Sequence, residues 1–114
     1  MITAERLALE AERLRRVPGI YFGNESDGRR AKIAGTGIDV WEIINDWNWF
    51  GRDFDALCYE KYWLTPDQLR AALNYYALYP EEIDRFIMEN DESFADMAKL
   101  ELDETIEPLP ENID

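Results

Sequence analysis

Thr65-Pro66-Asp67-Gln68 constrains the fold of this chain more than any other stretch. Threonine is a preferred N-cap, proline fits the first helical position, and Gln68 stands three residues after the cap, where it can close a capping box. The helix that follows has two apolar stripes, Leu69, Ala72, Leu73 and Tyr76 on one side and Ala71, Tyr75 and Leu78 on the other. A helix apolar on two sides must be covered on both, so it belongs at the centre of its fold. At 114 residues the chain has room for one core built around it.

Other elements follow from periodicity. Thr3 to Arg16 reads as a helix with Leu7, Ala11 and Leu14 inward, ended by Pro18-Gly19. Residues 19–22 and 30–35, separated by the turn-rich stretch 23–28, read as a β-hairpin with a short first strand. Val40, Ile43, Ile44 and Trp47 recur at helical spacing, with Asp39 and Glu42 as a capping-box-like start and Gly51 as the break. Asp53 caps a helix carrying Phe54, Leu57 and Cys58. Pro80 opens another with Ile83, Phe86, Ile87, Phe94 and Met97 facing inward. The expected fold is mainly α: an N-terminal helix (1–17), then a hairpin and a tri-helical core with a C-terminal helix (18–98), then an acidic tail (99–114).

Composition removes several kinds of function. The chain has no histidine and one cysteine, Cys58, so a Cys/His zinc site, a catalytic triad and an internal disulfide are all excluded. No nucleophile–base pair stands out, and the carboxylates lack the spacing of a calcium loop. The expectation is a cytoplasmic non-enzyme without metal, cofactor or membrane span. Gly35-Thr36-Gly37 invites comparison with a phosphate loop. It has neither the third glycine of a dinucleotide fingerprint nor the Lys-Ser/Thr of a P-loop, and Asp39 follows closely, so it reads as a strand-to-helix corner.

Charge is the strongest functional signal. Residues 1–37 hold seven basic and five acidic side chains, residues 38–78 three and seven, and residues 79–114 two and thirteen. So acidic a chain repels nucleic acid as a whole and seeks a cationic surface. In the tail, Glu104 and Glu107 alternate with Leu102, Ile106 and Leu109, a pattern suited either to docking in a basic protein groove or to a solubilising terminus. Arg13, Arg15, Arg16, Arg29, Arg30 and Lys32 read as a phosphate-contacting patch or as a face paired with Glu10, Glu12 and Glu25. The aromatic group from Trp41 to Trp63 reads as core plus an exposed protein-binding patch. The helices at Asp53 and Thr65 have helix-turn-helix spacing, and Gln68, Arg70 and Asn74 on the second could read base edges.

These motifs resemble, over about residues 18–85, the bacterial family labelled domain of unknown function 433. The resemblance is carried by Gly35, Thr36, Gly37, Ile38 and Val40, by Gly51 and Asp53, by Leu64 and Thr65, by Ala72, Leu73 and Tyr75, and by Glu81-Glu82-Ile83. It implies a homeodomain-like core behind a hairpin, with dimers formed through that hairpin. It also implies an antitoxin of VapB type that binds a PIN-like ribonuclease toxin and its own operator DNA. A DNA-binding regulator and a stand-alone adaptor are the alternatives.

Overall fold

The computed structural model describes residues 2–25 and 28–90. Helix α1 (Ala4–Arg16) leads into an antiparallel hairpin of β1 (Ile20–Glu25) and β2 (Gly28–Ile33). Three helices follow, α2 (Val40–Trp49), α3 (Phe54–Glu60) and α4 (Pro66–Leu78), and a fifth, α5, occupies 80–90. The protein is therefore mainly helical, with a two-stranded hairpin near its N-terminus. Both strands have six residues, so the ladder runs further into the expected turn than the sequence suggested, as far as Glu25 opposite Gly28.

Helix α4 lies at the centre. Thr65 and Gln68 form the full capping box, with the Thr65 hydroxyl accepting from the Gln68 amide and the Gln68 side chain accepting from the Thr65 amide. Leu69, Ala71, Ala72 and Tyr75 are buried, and Leu73 and Tyr76 pack at the margin. Leu78, expected inside, is exposed because it sits at the last turn. Val40, Ile43 and Ile44 of α2, which packs on α4, share the buried cluster with Leu57 of α3 and Ile83 of α5. Phe94 and Met97 lie outside the described residues, as do residues 99–114 and with them Leu102, Glu104, Ile106, Glu107 and Leu109.

The hairpin gives one face to this core. Ile20 pairs with Ile33 and Phe22 with Ala31, so alternation places all four on the buried side. Gly19 enters the hairpin at φ +94, and a Cβ there would stand 3.1 Å from the Ala71 Cβ. The close approach of strand to helix thus requires glycine at this position. The corner after β2 is a turn. The Thr36 hydroxyl donates to the Ile33 carbonyl and accepts from the Ile38 amide, so the loop's own groups hold it shut.

At the end of α2 the Gly51 amide donates to the Asn48 carbonyl and the Arg52 amide to the Trp47 carbonyl, the paired bonds of a Schellman motif. Arg52 takes φ +64, a left-handed conformation that costs a non-glycine residue about 1 kcal/mol. Its guanidinium offsets this by donating to Asn48 Oδ1 and the Tyr76 hydroxyl and lying over the Trp47 ring, tying α2 to α4.

Two expectations are corrected. The stripe Leu7, Ala11 and Leu14 of α1 faces solvent, whereas Glu10 is its buried residue. The helix turns its ionic side inward because Arg6, Glu10 and Arg13 find partners on β2, α4 and α5 (below). Asp39 stands at the N-cap position of α2 but makes no side-chain capping bond. Its carboxylate is drawn instead to Lys32, Arg30 and the Trp41 indole, which satisfy it inside the molecule.

Candidate functional site

The basic cluster of the first third is knitted into the fold. Arg29 donates two bonds to Glu10, at 2.6 and 2.8 Å, and Arg6 reaches the same carboxylate at 2.8 Å. Arg13 pairs with Glu82 and donates to the Tyr75 hydroxyl at 2.7 Å, and the hydroxyl donates to Glu82 at 2.8 Å. Arg15 and Arg16 pair with Glu12, while Arg30 and Lys32 pair with Asp39. All seven basic side chains of residues 1–37 are therefore paired with carboxylates of this chain, Glu10, Glu12, Asp39 and Glu82 among the described residues. Of the two readings of this cluster, the paired face is the one formed. Within it Arg15 and Arg16 stay more than half exposed.

The Arg29 guanidinium, with Arg6 beside it, holds the buried Glu10 carboxyl below its ordinary range. Since the folded value is depressed, the resulting stability is complete above the unfolded value of about 4.3 and disappears as pH falls through the folded value. Glu10→Gln leaves two guanidinium groups without their anion. It is expected to cost about 1–3 kcal/mol at neutral pH. In urea titrations the gap between wild type and variant should narrow from about pH 5 to pH 3; a gap independent of pH would show that the pair contributes no net charge energy. At the second centre, burial and the Glu82 carboxylate push the Tyr75 hydroxyl far above its ordinary range, so it stays protonated and keeps its bond to Glu82.

Of the candidate DNA-reading residues, Arg70 and Asn74 are exposed about one turn apart on α4, and Gln68 is half-buried. The Gln68 side-chain oxygen is occupied by the capping box, and the Arg70 guanidinium lies 4.6 Å from the Phe54 ring centroid. Arg70 is the one basic side chain of α4, and Asp67, also exposed, stands three residues before it. The motif residues Ile38, Val40, Leu64 and Thr65 serve the structure, with Val40 and Leu64 buried in the core and Thr65 capping α4. Gly35 and Gly37 both have positive φ at the corner.

The surface at the far ends of α2 and α3 is different. Trp49, Tyr59 and Tyr62 are each more than 80% exposed and Trp63 is 58% exposed. Tyr62 and Trp63 meet edge to face at 5.3 Å, and Lys61 lies over the Trp63 ring while bridging to Asp46 of α2 at 2.6 Å. Tyr59, Glu60 and Tyr62 line a depression of about 410 Å³. The sequence reading of core plus an exposed patch did not say which rings lie outside and did not single out Tyr59 or Tyr62, although Trp49 falls outside the stripe of Val40, Ile43, Ile44 and Trp47 and Tyr59 outside that of Phe54, Leu57 and Cys58. That offset was the available signal.

Among the described residues no cluster of cysteine and carboxylate side chains could hold a metal ion, and no helix is long and apolar enough to cross a membrane. No family model matches the chain, and no curated protein or solved structure matches it either.

Proposed function

We propose that this protein is a non-enzymatic, acidic protein-binding module of VapB antitoxin type that neutralises a basic PIN-like ribonuclease. One observation carries the reading: the fold consumes its own cations. Seven basic side chains are neutralised by Glu10, Glu12, Asp39 and Glu82, which leaves most of the twenty-five carboxylates of the chain to dominate its field. Such a surface repels a polynucleotide and attracts the cationic groove in which a ribonuclease holds RNA. Within this reading α2, α3 and α4 are a homeodomain-like core. Leu102, Glu104, Ile106, Glu107 and Leu109 supply the apolar anchors and charges that enter the groove. Dimerisation through the hairpin belongs to the same reading. The outward stripe of Leu7, Ala11 and Leu14 on α1, which packs beside β1, supports it with an apolar surface at the right place.

The test is RNA cleavage by a PIN-like ribonuclease encoded in the adjacent reading frame. Purified protein added in equimolar amount should suppress cleavage. Undiminished cleavage at large excess, together with retardation of promoter duplex by the protein alone at low salt, would replace this reading with a DNA-binding one.

A further inference from the structure

Large aromatic side chains that project into solvent as a group mark contact surfaces, because water gains nothing from them and a partner gains much. Trp49, Tyr59, Tyr62 and Trp63 are exposed, Tyr62 meets Trp63 edge to face, and Tyr59 lines a depression with Tyr62. They are joined through Lys61, which contacts Trp63 and pairs with Asp46 on the helix that carries Trp49. Glu60 lines the depression with Tyr59 and Tyr62, and the segment that carries the four rings is acidic. Residues 38–78 carry seven carboxylates and three cations, and each cation is engaged: Arg52 over Trp47, Lys61 on Asp46, Arg70 over Phe54. Arg52 over Trp47, Arg70 over Phe54 and Lys61 over Trp63 show aromatic rings of this protein receiving cations on their faces.

We propose that this face docks a protein segment carrying arginine or lysine among apolar side chains, with one guanidinium or ammonium group seated in the depression lined by Tyr59, Glu60 and Tyr62. Two aromatic side chains and a carboxylate suit a cation that brings its own aliphatic stem. A second copy of this chain would bring like charge to the face. Single-stranded nucleic acid stacks on aromatics where a basic groove holds its backbone, and the segment that carries these rings has seven carboxylates against three cations. The proposal rests on the preceding section only for the charge of the partner. It uses a different surface from the tail.

The experiment uses the full chain, and the probe is a short synthetic peptide of alternating arginine and leucine. The indole N–H resonances of the four tryptophans separate the two exposed rings from Trp41 and Trp47. Titration should shift Trp49 and Trp63 and leave the other two in place. The variant Trp49→Ser/Tyr59→Ser/Tyr62→Ser keeps every charge and should bind the peptide at least about tenfold more weakly, with Trp47 still reporting the native fold. Deletion of residues 99–114 should leave the Trp49 and Trp63 shifts in place, which separates this surface from the tail. Equal affinity of the triple variant, unmoved Trp49 and Trp63 resonances, or equally tight binding of single-stranded oligothymidine would each overturn the proposal. None of these results depends on whether the ribonuclease is inhibited.

Discussion

Tyr75→Ala should lower the unfolding free energy by about 4 kcal/mol, the cost of deleting a fully buried aromatic ring. The Tyr75 side chain is fully buried, meets Phe22 edge to face at 6.3 Å and packs on Tyr79 at 4.8 Å, so it joins hairpin, α4 and the start of α5. Its hydroxyl also stands between Arg13 and Glu82. Tyr75→Phe keeps the ring and should cost only about 1–2 kcal/mol, from the two bonds lost at an ionic pair that remains. A domain of this size has about 5–15 kcal/mol in total, so the alanine variant should be substantially unfolded at moderate urea while the phenylalanine variant is not. Near-wild-type midpoints for Tyr75→Ala would mean that α4 is not the centre of the fold.

The second large effect is functional. Removing residues 99–114 should weaken binding to the basic ribonuclease at least about a hundredfold, equivalent to about 2.7 kcal/mol or more. The thermal midpoint is expected to stay unchanged, the core of the described residues running from Val17 to Ile83. The segment takes with it Leu102, Ile106 and Leu109 and the carboxylates between them. Its removal therefore subtracts apolar anchors and charge together. The variant Leu102→Ser/Ile106→Ser/Leu109→Ser, which keeps the charge, separates the two. Retained affinity in both variants would remove the tail from the interface.

Local signals were legible in the sequence, and long-range ionic choices were not. The capping box at Thr65 and the glycine stop at Gly51 are written within a few residues, and both formed where expected. The inward face of α1 was misread because periodicity counts apolar residues. This helix buries Glu10 against Arg29, nineteen positions away, and seats Arg13 on Tyr75 and Glu82. Asp39 was misread for the same reason: a local cap competes with cations on β2, and the cations win. The exposed aromatics are a third kind of case. Periodicity identifies a ring that lies off the core stripe but does not say what covers it.

The most direct test of the charge argument is the affinity of the full chain for the ribonuclease as salt is raised from about 0.05 to 0.5 M, which shortens the screening length from more than 10 Å to a few ångströms. Duplex promoter DNA should be titrated in parallel. The expected result is a complex that weakens steeply with salt, and no DNA binding by the protein alone at the lowest salt. A complex indifferent to salt, or duplex DNA bound in the absence of any partner protein, would contradict it.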